Sequence, residues 1–423
     1  MKPVLTLGVG AMAVALMALV PTAPKPEEVG LGGDRLQRIH QAIQRHVDAK
    51  DIAGAVTLVA RKGRLAHLEA HGVMDIESKT PMPKDGIFRL ASMSKPITGA
   101  AVMMLVEEGR IRLNDPVSRF IPEFKSTNKV AVPKPGAAAA GAGGGRGGRG
   151  APAPEFDTVS SSREITIKDL LTHGSGLMSG GLGNSAAPQR APADTLATFI
   201  PKLASVPLDF QPGTLWRYSG QAGFDILSRV IEVVSGQTYE QYLKQRLFEP
   251  LGMKDTGFYP AGDASSRLVT LYTRQNGELA RNPNQDQGVS KVYFSGAGGI
   301  MTTAVDYLQF AQMMINGGQL NGKRFLSPRT IELMTSNHTG DMVNGQFGRP
   351  ARGMGFGLSM QMVLDPVAAG LMVGTGTYGW AGAYGCNVNM DPTENMVSII
   401  MLQTANGPTQ RDFEAAVWQA IVE

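Results

Sequence analysis

The sequence predicts an α/β (α+β) chain: one antiparallel sheet flanked by N- and C-terminal helices, with a large, mainly helical insertion. Three observations predict it. Strand pairs with tight turns lie near both ends, at 53–72 and 383–403. An amphipathic helix pattern lies outside each pair, at 34–50 and 409–422. The middle of the chain carries helical rather than strand periodicity. Two hairpins and two helices so far apart in sequence are satisfied together by one sheet with its terminal helices packed side by side.

The first 23 residues stand apart. Lys2 gives a basic start, residues 4–20 are apolar apart from Gly8, Gly10 and Thr6, and Pro21, Pro24 and Pro26 end any helix. The segment reads as a secretory signal peptide, or as an N-terminal anchor if uncleaved, the one circumstance that would bring a membrane partner. The expected location is exported, periplasmic or secreted. No cysteine lies nearby to carry a lipid.

From 31 to 423 the chain reads as one domain, with a sheet part at 31–90 and 290–423 and a helical part at 91–289. Leu36, Ile39, Ile43 and Val47 make one face of the first helix. Residues 53–60 form a strand, Arg61-Lys62-Gly63-Arg64 a turn, and 65–72 the return strand. In the helical part, Phe224, Leu227, Val230, Ile231 and Val234 line a helix over 223–235 that Gly236 stops. Residues 133–154 are Ala, Gly and Pro with Arg146 and Arg149, too poor in apolar surface to order, and form a surface loop. Near the C-terminus, 383–390 and 396–403 flank the turn 391–395, and the helix 409–422 closes the chain.

Composition narrows the classes. The chain has 423 residues, 43% hydrophobic and 18% charged, enough to build a large core. A formal charge of +4 gives no reason to expect a nucleic-acid partner. One cysteine, Cys386, excludes an internal disulfide, and it reads as a small buried hydrophobe. Six scattered histidines show no metal-ligand spacing, so no metal or other cofactor is expected.

Chemistry concentrates at Ser92-Met93-Ser94-Lys95. A serine and a lysine three apart at a helix start share one face. A serine hydroxyl becomes a nucleophile once a neighbour takes its proton, and a desolvated lysine can do so. Behind them Ile97, Ala100, Ala101, Met104 and Leu105 form a buried stripe, Pro96 suits the first turn, and Gly109 ends the helix. Ser92 then reads as a helix-start residue at the positive end of the dipole. Ser126-Thr127-Asn128-Lys129 repeats the spacing but runs into a proline-rich stretch, so it is not a second site. Tyr218, in Trp216-Arg217-Tyr218-Ser219-Gly220 ahead of the 223–235 helix, can project a hydroxyl into a cleft as a base. Tyr378-Gly379-Trp380-Ala381-Gly382-Ala383 opens a strand whose glycines admit close approach and whose N–H can complete an oxyanion hole.

With these motifs the chain resembles the penicillin-recognising, β-lactamase-like serine hydrolases, in the branch of class C β-lactamases, DD-carboxypeptidases and family VIII carboxylesterases. Further support comes from the runs at 88–96, 109–117, 165–177 and 298–306. The resemblance implies a β-lactamase/transpeptidase-like fold and an acyl-serine intermediate at Ser92. It gives proton handling to Lys95 and Tyr218, an oxyanion hole to the backbone N–H groups of Ser92 and Ala383, and substrate contact to Trp380, Ala381 and Gly382. His173 would lie in a structural turn.

Two departures bear on the substrate. Gly220 replaces the asparagine usual in Tyr-x-Asn, and Trp380 replaces the usual lysine or histidine of the third motif. A cleft lacking both loses contacts worth roughly 1.5–3 kcal/mol each. The resemblance therefore points to a small-molecule ester as substrate, ahead of a β-lactam or D-Ala peptide. A non-catalytic penicillin-binding-like protein is the remaining reading. No Gly-x-Ser-x-Gly elbow is present, against the α/β-hydrolases.

Overall fold

In the computed structural model, the described residues are 21–23, 25–127, 129–134, 155–343 and 352–423. Most of the leader and of the 133–154 loop therefore lies outside them. Residues 21–23 run beside the first hairpin, with Ala23 N–H donating to Leu65 (2.8 Å) and Leu65 N–H to Pro21 (2.7 Å).

The architecture is a sheet between two helical layers. The sheet strands are β1 (Gly54–Arg61), β2 (Arg64–Asp75), β3 (Thr80–Pro81), β4 (Met354–Phe356), β5 (Gln361–Val363), β6 (Tyr378–Ala381), β7 (Asn387–Asp391) and β8 (Met396–Met401). Their order is β4-β5-β6-β7-β8-β1-β2-β3, and every pair is antiparallel. The N- and C-terminal hairpins join through β1 and β8, where Val56 faces Met401 and Leu58 faces Ile399. That junction is the expected antiparallel sheet.

Strand alternation sorts side chains between two cores. Val56, Leu58 and Ala60 of β1 enter one, with α2 (Lys95–Glu107) and α5 (Ala304–Ile315). Ala55 and Val59 enter the other, with α1 (Gly33–Asp48) and α6 (Gly407–Trp418). Leu36, Ile39 and Ile43 of α1 pack there with Phe413 and Val417 of α6. Each such fully buried side chain contributes about 1.5–3 kcal/mol. The remaining helices used below are α3 (Ile167–Leu171) and α4 (Ala222–Ser235).

Two local expectations are corrected. Helix α2 is buried on all sides from Lys95 to Leu105, not along one stripe, because it runs through the core. The strand expected at 383–390 starts only at Asn387: the chain turns at 382–386, with Gly382 N–H donating to Cys386 (2.8 Å) and Gly385 N–H to Gly382 (3.0 Å). No helix among the described residues is long and apolar enough to cross a membrane.

Candidate active site

The site begins with a sharp turn at the edge of the core. Phe88–Arg89 pairs with Met301–Thr302, and Leu90 N–H donates to Ile300 (2.9 Å). Ala91 then adopts φ 45°, a left-handed conformation that costs a non-glycine residue on the order of 1–3 kcal/mol. This bend starts a 3-10 turn over Ala91–Ser94, and the α-helix begins only at Lys95. Ser92 is therefore not the N-cap of α2, whose N-cap is Ser94. Ser92 Oγ has no capping duty and points to two other side chains.

Those side chains are Lys95 and Tyr218. Lys95 Nζ lies 3.1 Å from Ser92 Oγ, and the Tyr218 hydroxyl donates to the same oxygen at 2.7 Å. Lys95 is completely buried. Its Nζ also donates to the carbonyls of Gly220 and Ala297, both at 2.8 Å. The two carbonyls take two N–H bonds, so the position facing Ser92 is either the third N–H of an ammonium or the lone pair of an amine. The same geometry thus serves a lysine that donates a proton and one that accepts it.

Each carbonyl is held by a distinct device. Asp225 of α4 is buried and accepts from Tyr293 Oη (2.9 Å), Ser295 Oγ (2.6 Å) and Ala297 N–H (3.1 Å). It thereby fixes the segment that presents the Ala297 carbonyl. Burial pushes the Asp225 carboxyl upward, while its hydrogen bonds and Lys95 oppose the shift. The segment bearing Tyr218 and Gly220 is held by His173, just beyond α3, at φ 59°. The His173 carbonyl accepts Arg217 N–H (3.2 Å), and its Nδ1 accepts Ser219 N–H (3.2 Å). Its ring also packs 4.5 Å from that of Tyr218, centroid to centroid. Burial, aided by Lys95, holds this imidazole well below its usual pKa, so it is neutral. The turn role expected for His173 is thus a specific one, a clamp on both neighbours of Tyr218. Neither Asp225 nor His173 was among the expected site residues, and no sequence spacing links them to Tyr218 or Ala297.

The third motif reaches the site at the end of β6. A Cβ on Gly382 would lie 2.0 Å from the Leu90 carbonyl oxygen, so only glycine lets this strand end pass the nucleophile turn. Ala383 follows, exposed, in the 382–386 turn rather than on a strand. Among the described residues, neither Ser92 N–H nor Ala383 N–H donates to another backbone carbonyl. Ala381 and Gly382 are half-buried. Trp380 is 5% exposed, and its ring packs behind Tyr218 (5.5 Å) and against Phe356 (5.3 Å). Gly220 is exposed, and a Cβ there would meet nothing within 4 Å.

Two other residues fall outside the site. Cys386 Sγ is buried against the Leu402 carbonyl (3.2 Å), and burial pushes the thiol up to about 12. Ser126 ends the short 3-10 turn Pro122–Ser126 and donates to Glu123 (2.7 Å), while Lys129 starts a strand.

The chain is similar to known proteins over most of its length. A family model described as Beta-lactamase matches residues 39–423. Protein Rv1367c of Mycobacterium tuberculosis is 35% identical over 379 residues, 86% of this chain and 89% of that protein. Esterase EstB of Burkholderia gladioli is 29% identical over 415 residues, 92% of this chain and 94% of that one. Among solved structures, EstCE1, titled a hydrolase with promiscuous acyltransferase activity, matches with TM-score 0.74 at 27% identity, covering 91% of this chain and 99% of its own. Simvastatin synthase (LovD) from Aspergillus terreus shares the fold, with TM-score 0.73 at 21% identity, over 91% of this chain and 98% of its own.

Proposed function

The chain belongs to the beta-lactamase family, and from that premise we propose that it is a serine carboxylesterase working through an acyl-enzyme at Ser92. The observation that carries the proposal is the convergence of Lys95 Nζ and Tyr218 Oη on Ser92 Oγ, at 3.1 and 2.7 Å. In this reading Ser92 Oγ attacks the ester carbonyl while its proton passes to the Lys95–Tyr218 pair. The N–H groups of Ser92 and Ala383 receive the developing oxyanion. The alcohol leaves with the proton, and a water deprotonated by the same pair then attacks the acyl carbonyl and releases the acid.

The choice of ester over β-lactam or D-Ala peptide rests on Gly220, which offers no side-chain amide, and on Trp380, which offers no charge. Two relatives named esterases support the choice. We extend the proposal to an exported protein acting on a small neutral ester, on the strength of the basic, apolar start of the sequence.

Hydrolysis of p-nitrophenyl butyrate by the wild type and by Ser92→Ala tests the reading. Turnover by the wild type that disappears in the variant supports it. A folded wild type that leaves esters intact but is acylated by a β-lactam, or cleaves a D-Ala peptide, replaces it with the peptidase or β-lactamase reading. Failure with every substrate favours a non-catalytic binding protein.

A further inference from the structure

Three of the six histidines come together on the α1 side of the sheet, opposite the side that α2 covers. In His67-Leu68-Glu69-Ala70-His71 the alternate residues share one face of β2, as strand period requires. That is the face of Thr57, which pairs directly with Glu69 across β1 and β2. Helix α1 packs over it and brings His40 to the group: His40 Nδ1 is 2.6 Å from Glu69 Oε1, and His71 Nε2 is 3.7 Å from Glu69 Oε2. One ligand-type atom from each of His40, Glu69 and His71 lies within 4.8 Å of the other two. A groove of about 360 Å³, lined in part by His40, His67 and Glu69, gives solvent a path to the cluster.

The hydrogen bonds within the cluster leave it incomplete. Thr57 Oγ1 is within 2.9 Å of His67 Nε2 and 3.2 Å of His71 Nε2. A hydroxyl has one proton, so one ring accepts from Thr57 and the other donates to it. His71 is 2% exposed, yet its Nδ1 has no partner among the described residues. A buried polar atom without a partner is costly, on the order of 1–3 kcal/mol.

We propose that His40, Glu69 and His71, with His67 alongside, bind one divalent transition-metal ion of the zinc type. Two or three imidazoles and a carboxylate are borderline donors that suit such an ion, and a three-ligand set leaves a position for water. Ligand atoms around a bound ion sit about 2.0–2.1 Å from it and so roughly 3.3–3.4 Å from one another, which means that the 2.6 Å His40–Glu69 contact opens while the wider separations close. The ion would clip α1 to β2 and stabilise the folded chain, apart from the reaction at Ser92. The sequence shows no metal spacing because three of the residues follow strand alternation and the fourth comes from a helix 27 positions before His67.

The test uses the full chain without a polyhistidine tag, stripped with EDTA and titrated with Zn²⁺ alone. One equivalent should bind by calorimetry, Tm should rise with Zn²⁺ concentration, and Co²⁺ in its place should show the visible d–d absorption of bound metal. His40→Ala and Glu69→Gln should each weaken binding at least tenfold. His40 is 53% exposed at its side chain, so its variant should fold, and its ester turnover should match the wild type. His338→Ala should bind as the wild type does. Absence of stoichiometric binding, or binding unaffected by both His40→Ala and Glu69→Gln, would overturn the proposal.

Discussion

The Asp225 carboxylate accepts the Ala297 N–H at 3.1 Å, and the carbonyl of the same Ala297 accepts from Lys95 at 2.8 Å. A buried acid that never touches the serine therefore sets the position of the lysine that does. Asp225→Ala removes the acceptor of all three hydrogen bonds, the one from Ala297 N–H included. Kcat should fall at least tenfold with KM little changed, and Tm should drop. A variant with lower Tm but unchanged kcat would reduce Asp225 to a stability role.

The two serine–lysine motifs make opposite predictions. Tyr218→Phe removes the 2.7 Å donor to Ser92 and should slow acylation by roughly a hundredfold, the scale of a lost general base. Ser126→Ala removes only a hydroxyl bonded to its own turn, so activity should stay at the wild-type level. Single-turnover release of p-nitrophenol measures both.

Two glycines near the site respond differently to a methyl group. At Gly382 the new Cβ falls 2.0 Å from the Leu90 oxygen, and the overlap involves backbone on both sides. Gly382→Ala should displace the 382–386 turn, lower Tm and cost more than tenfold in kcat/KM. At Gly220 the same atom meets nothing within 4 Å. Gly220→Ala should keep Tm within a degree or two, and Gly220→Asn should fold equally well while raising the rate of acylation by β-lactams. Loss of the fold in Gly220→Ala would show that the space at this position is filled.

The folded state should lose stability on acidification. His67 is held at about 4, chiefly by burial, whereas an unfolded histidine titrates near 6.5. Between those values the unfolded chain binds the proton and the folded chain does not. The stabilisation is complete above about 6.5 and is lost as pH falls toward about 4. In metal-free protein, Tm should decline across this window, and His67→Gln should decline less. Equal slopes for both proteins would remove His67 as the cause.

Much of this was legible in the sequence because it follows short-range rules. The glycine turn between the strands at 53–60 and 65–72, the Ser92–Lys95 spacing and the glycine at 382 each carry their own physical reason within a few residues. What was hidden depends on contacts between distant segments. Nothing local marks Ala91 for a positive φ, which the pairing of Phe88–Arg89 with Met301–Thr302 helps to fix. Nothing local tells that Trp380 turns its ring behind Tyr218, since strand alternation gives a face but not its cover. The turn at 382–386 was read as strand because Tyr384 and Cys386 continue an apolar alternation, and only the Gly382–Cys386 bond shows the reversal. The roles of Asp225 and His173 are hidden for the same reason: their partners, the Ala297 and Ser219 N–H groups among them, lie on distant segments.

The central claim is that Ser92 carries the acyl group. The most direct measurement is to mix the protein with p-nitrophenyl butyrate, quench in acid during turnover, and locate the butyryl group by peptide mass spectrometry. The account predicts one adduct, on Ser92, absent from Ser92→Ala. An adduct on any other residue, or turnover that persists in Ser92→Ala, would contradict it.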